Sequence, residues 1–139
     1  MGIILNRLFA RHCLVACALL VCVAARAPTS FPEYLEQMIK YHRVTVGLEI
    51  ASRCGLLNEA ERASYERDYA KASDVVVRLM AENFEREEAL DSLEILQSAS
   101  AAGSRQEFPR CGTEAAEWME TSKREIKELV AYADQYSKH

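Results

Sequence analysis

The stretch SRCGLLNEAERA, residues 52–63, holds the end of one helix, a stop, and the start of another. Gly55 suits the left-handed position that closes a helix. Asn58 can accept the first free amides of the next one, and Glu61, three residues on, can reach back to the Asn58 backbone. Two helices joined across so few residues pack as antiparallel neighbours. The opening letters return at residues 109–120, PRCGTEAAEWME, where Arg-Cys-Gly again precedes a Glu-Ala pair. As an internal duplication the match is weak, because it needs a two-residue gap at Leu56-Leu57 and fades after the first helical turn. It reads as repeated capping chemistry, each glycine serving a tight turn beside a cysteine bridge.

Working outward from this hairpin, apolar residues recur at spacings of three and four, and no segment shows the strict alternation of a strand. Upstream, a helix beginning near Pro32 carries Leu35, Met38, Ile39, His42, Val46, Ile50 and Cys54 on one face and is expected to point it inward. The run Val44-Thr45-Val46-Gly47 combines β-branched residues with glycine and predicts a kink near Gly47. Downstream of Asn58, Tyr65, Tyr69, Ala72, Val76, Leu79, Met80 and Phe84 form the next inner face. ENFEREE, residues 82–88, interrupts the pattern without Gly or Pro. Leu90, Leu93, Leu96 and Ala99 then mark a third helix up to Gly103, unless the two are one bent helix. A fourth runs from Thr113 to Tyr136, with Ala115, Trp118, Met119, Ser122, Ile126, Leu129, Val130 and Ala133 inward and Glu120, Arg124 and Glu128 on its outer face.

The fold expected from this pattern is all-α, a four-helix up-down-up-down bundle. That topology brings the end of the first helix and the start of the fourth to one pole, so Cys54 and Cys111 are expected to form a disulfide there. The chain has 139 residues, and residues 28–139 are read as a single helical domain. Closing a long loop by a bridge would stabilise a core of this size by around 4 kcal/mol in the chain-entropy model.

Residues 1–25 read as a cleavable signal peptide. Arg7 and Arg11 give a basic start, residues 13–25 (CLVACALLVCVAA) form an apolar run, and small residues follow, with Ala27 an alternative cleavage point. The run is shorter than the roughly 20 residues needed to span a bilayer. LVAC at 14–17 has the letters of a lipoprotein box, but Arg11 and His12 directly before it leave no apolar segment ahead. Loss of residues 1–25 takes Arg7 and Arg11 from the 17 basic residues and nothing from the 21 acidic ones, so the net charge moves from −4 to about −6. Such a balance repels phosphate backbones and argues against nucleic acid as a partner. Two of the five cysteines, Cys54 and Cys111, remain, and an exported chain with two cysteines most simply bridges them.

Signatures of catalysis are absent from the sequence: there is no HExxH, CxxC, CxxCH, GxSxG or glycine-rich phosphate loop, and no Glu-x-x-His pair. An enzyme is not the expected reading, and no metal or cofactor is expected. His42 with Met38, Met119 or His139 could imitate the axial ligands of a haem-binding bundle, and Tyr65 with Tyr69 could line an apolar ligand pocket. In a lone inward histidine and a pair of core-edge tyrosines, however, the usual role is packing. The less ordinary feature is the loop GSRQEFPRCG, residues 103–112, where Arg53, Arg105, Phe108 and Arg110 gather at the disulfide pole of an acidic protein. Arg53 and Arg105 suit helix C-termini. Phe108 and Arg110 are of the types that carry binding energy at interfaces, though Phe108 could also tuck over the bundle end. The expected function is that of an exported, periplasmic or secreted helical-bundle protein acting through protein–protein interaction. The alternative is a bundle that binds a small ligand or haem.

Overall fold

The computed structural model describes residues 27–138, and the signal-peptide reading and His139 lie outside them. Four helices follow in order: α1 (Phe31–Cys54), α2 (Glu59–Met80), α3 (Arg86–Glu107) and α4 (Thr113–Tyr136). Their ends show why the chain turns where it does. Ser30 accepts from the Glu33 amide at 3.4 Å, and Pro32 occupies the first turn of α1, where its missing N–H costs nothing. Gly55 closes α1 at φ 62°, ψ 33°. Asn58 and Glu61 form the reciprocal capping box, at 2.9 and 3.0 Å. Gly112, by contrast, is extended (φ −114°, ψ −163°), a conformation open to any residue, so the second Arg-Cys-Gly does not need its glycine for a left-handed turn.

Between α2 and α3 the chain breaks at residues 81–85 with no Gly or Pro, and distant residues fix the break. Glu82 accepts from the Thr29 backbone at 2.7 Å, from the Thr29 hydroxyl at 2.9 Å and from the Tyr136 hydroxyl at 2.7 Å. Phe84, expected on the inner face of α2, falls in this turn and is exposed.

Contacts along the helices show their directions. His42 meets Ser100 and Glu49 meets Arg105, so α1 and α3 run parallel. Val44 meets Tyr65, and Lys40 and Arg43 meet Glu128 and Glu125, so α2 and α4 run against α1. The bundle is therefore up-down-up-down in direction. Its lateral order differs from a sequential ring: α1 packs against α4, α3 and, more sparingly, α2, whereas α3 and α4 do not pack against each other. The disulfide joins Cys54 to Cys111 across a Cα–Cα distance of 5.4 Å at the pole where α1 ends and α4 begins.

The core contains Tyr41, Val44, Tyr65, Ala72, Val76, Met119, Ile126 and Leu129, all buried. It also contains hydroxyls. The Tyr41 hydroxyl lies 3.0 Å from Tyr69, 2.7 Å from Ser73 and 2.7 Å from the Gln97 amide, joining three helices at one point. Burial raises the pKa of both Tyr41 and Tyr65 well beyond the ordinary tyrosine range.

Gly47 does not break α1, which is continuous from Phe31 to Cys54. Its lack of a side chain has another use. A Cβ at this position would overlap the Cβ and hydroxyl of Ser122 and come within 3.1 Å of the Tyr65 hydroxyl. Gly47 therefore lets α1 and α4 approach closely, and the Tyr65 hydroxyl fills the crossing, bonding both the Val44 carbonyl at 2.9 Å and Ser122.

Candidate functional site

The disulfide pole holds the residues singled out in the sequence, but it uses most of them for the fold. Phe108 is 8% exposed and packs with Val46, Ile50 and Ala115. Its ring lies 5.2 Å from that of Trp118. Of the two roles the sequence left open for Phe108, the fold takes the second: the chain leaving α3 folds over the end of α1 and buries it. Arg53 donates to the Phe108 carbonyl at 2.6 Å, and Arg105 pairs with Glu49 at 2.9 Å. Arg110 is exposed and, among the described residues, has no bonding partner. The structure therefore gathers all four side chains at one pole and leaves one of them uncommitted.

The other departure from expectation lies on α1. The stripe expected to point inward is real, since Leu35, Ile39, Val46 and Ile50 share one side of the helix. Only its second half is covered, because Val46 and Ile50 lie beneath Phe108, Ala115 and the edge of Trp118. Toward the start of α1 nothing in the described chain takes over this role: Phe31 is 72%, Leu35 44% and Ile39 42% exposed. The buried residues of this half are instead Gln37 and Tyr41, facing the core. α3 and α4 each pack against α1 but not against each other, and neither covers this side of the first half of α1. The α3–α4 loop covers the disulfide end of the stripe and stops there.

The border of the open half is polar and largely paired. Lys40 donates to Glu36 at 2.8 Å and to Glu128 at 2.9 Å, and the bond from Lys40 holds the Glu128 carboxyl below its ordinary pKa. Arg43 holds the buried carboxylate of Glu125 at 2.7 Å, and Tyr132 donates to Glu33 at 2.8 Å. A shallow hollow of about 310 Å³ lies among Pro32, Leu35, Glu36, Ile39, Lys40 and Arg43. The side chains bordering the apolar stripe thus have partners already and need not be stripped of water unpaired when the stripe is covered.

Residues that could have served other chemistry are occupied in the fold. His42 Nδ1 lies 2.8 Å from the Ser100 hydroxyl, Met119 is buried in the main core, and Met38 packs against that core. Among the described residues no group of three or more His, Cys, Asp or Glu is placed to hold a metal ion, and no helix is long and apolar enough to cross a membrane. A larger cleft, of about 420 Å³, opens between α1, α2 and α3 and is lined in part by Tyr69, one of the tyrosines considered from the sequence. Comparison with protein-family models, with curated proteins and with solved structures gives no match.

Proposed function

We propose that this is an exported protein that works by binding another protein, and that it does so through the open half of the α1 stripe, Phe31, Leu35 and Ile39. The observation that supports this is the unequal covering of one apolar stripe. At the disulfide end the stripe is sealed by the chain's own Phe108 and Trp118. At the other end three large apolar side chains, one turn apart, face solvent. An exposed apolar strip with a paired polar border suits an amphipathic helix of a partner, laid along α1 with its apolar face on Leu35 and Ile39. Lys40 with Glu128, Arg43 with Glu125 and Tyr132 with Glu33 tie this half of α1 to α4, which limits the ordering entropy lost on binding. Export agrees with the bridge, since such bonds persist in oxidising compartments.

The test is capture of the partner from the periplasmic or secreted fraction of the source cells. Leu35→Asp with Ile39→Asp changes exposed side chains and should leave the melting temperature close to that of the parent. It should weaken capture by at least tenfold, about 1.4 kcal/mol. Undiminished capture by the folded double variant would remove the α1 stripe as the binding surface.

A further inference from the structure

The cleft between α1, α2 and α3 is separate from the open half of the α1 stripe, and its chemistry is different. Leu48 and Leu57 give it apolar walls, and Tyr69 and Gln97 supply polar groups toward the Tyr41 hydroxyl cluster. Three charged side chains line it: Glu49, Arg62 and Glu66. Glu49 is already neutralised by Arg105. Arg62 and Glu66 are one turn apart on α2 and both border the cleft, yet they pair neither with each other nor with any other described residue. Arg62 is partly buried and Glu66 exposed, so both charges stay within reach of a ligand seated in the cleft.

We infer that this cleft binds a free amino acid with an apolar side chain. The two uncommitted charges are of opposite sign and about 5–6 Å apart at their Cβ atoms, as neighbours one helical turn apart are. The ligand that matches them carries a carboxylate for the Arg62 guanidinium and an ammonium for the Glu66 carboxylate. Arg62 presents paired N–H donors suited to a carboxylate. The remaining volume, bounded by Leu48 and Leu57, takes an apolar side chain, and about 420 Å³ is room enough for one of the size of leucine or phenylalanine. A ligand with only one charge would leave either Arg62 or Glu66 unpaired beside the bound molecule.

The experiment is titration of the purified protein with L-leucine and L-phenylalanine, followed by calorimetry and by amide chemical shifts. The controls are 3-phenylpropionate, which lacks the ammonium, and phenethylamine, which lacks the carboxylate. Saturable binding of at least one amino acid with a Kd below about 1 mM is expected. Both single-charge analogues should bind at least tenfold more weakly. Arg62→Gln should weaken amino-acid binding tenfold or more while leaving the melting temperature unchanged, because Arg62 has no partner to lose. As a second variant that keeps the charges, Ala101→Phe should block the cleft. No saturable binding of either amino acid overturns the inference, as does equal binding of an analogue or of the Arg62→Gln protein.

Discussion

Replacing Gly47 by alanine tests the packing that holds α1 in place. In an exposed helix the change would stabilise by about 1 kcal/mol, the difference in helix propensity. Here the added carbon overlaps the Cβ and hydroxyl of Ser122 on α4. A Cβ has no torsion by which to escape, and its neighbour is another Cβ fixed to helical backbone, so the helices must move apart. Overpacking of this kind costs about 1–3 kcal/mol or more. Moving the helices apart also stretches the bonds of the Tyr65 hydroxyl to Val44 and Ser122, each worth about 1 kcal/mol. The net expectation is a loss of about 2 kcal/mol, or roughly 10 °C in melting temperature for a domain of this size. Gly103→Ala is the matched control: its added carbon would meet nothing within 4 Å, so stability should rise by about 0.5–1 kcal/mol. Chemical denaturation of both variants, with Ser122→Gly added to Gly47→Ala to restore part of the loss, completes the set. If Gly47→Ala is as stable as the parent, the close-approach account of this glycine is wrong.

Three further outcomes follow from the same structure. Cys54→Ser should lower stability by about 2–4 kcal/mol, given a bridge spanning 57 residues, while leaving the helical circular dichroism in place; unchanged denaturation would contradict the bridge. Arg43→Met should cost about 3 kcal/mol, because it strands the buried Glu125 carboxylate, whose second oxygen has no hydrogen-bond partner; Glu125→Gln in the same protein should recover part of that, and a single variant as stable as the parent would refute the reasoning. Above pH about 10, where unfolded tyrosines ionise, stability should fall. Burial keeps Tyr41 and Tyr65 neutral in the folded state, so their contribution is complete below that pH and is lost as pH rises further. Denaturation midpoints that stay flat through that range would count against it, and Tyr65→Phe should flatten the decline.

The helix ends written in local chemistry were legible: the Gly55 stop, the Asn58–Glu61 box and the span of α4 all depend on residues within a turn of one another. What lay beyond local reading was set by contacts between distant segments. The break after Met80 is held by Glu82 with Thr29 and Tyr136, 53 and 54 residues away. α3 turns Ser100 and Ser104 inward along with Ala89 and Leu93, and leaves Leu90 exposed. A search for apolar periodicity passes over Ser100, whose hydroxyl is bonded to the Leu96 carbonyl at 2.7 Å and to His42. Buried Glu125 was likewise passed over, since only its pairing with Arg43 makes it tolerable inside.

The candidate site was legible in part. The loop at residues 103–112 announced an aromatic and an arginine, but an aromatic beside a bridge reads the same whether it faces a partner or the chain's own helix. Trp118, one turn into α4, supplies the surface that buries Phe108. The α1 stripe is legible as one apolar face, but not as an inward one, since Leu35 and Ile39 are exposed. Which half is covered depends on where the α3–α4 loop lies, and no run of residues encodes that placement locally.

The most direct test of the central claim is site-specific photo-crosslinking in the native exported fraction, with the reactive residue placed at Ile39 in one protein and at Arg110 in another. Binding through the open half of the α1 stripe predicts a discrete cross-linked partner from Ile39 that disappears when Leu35→Asp is added, and none from Arg110. A partner captured from Arg110 but not from Ile39 would contradict the account and return the binding surface to the disulfide pole.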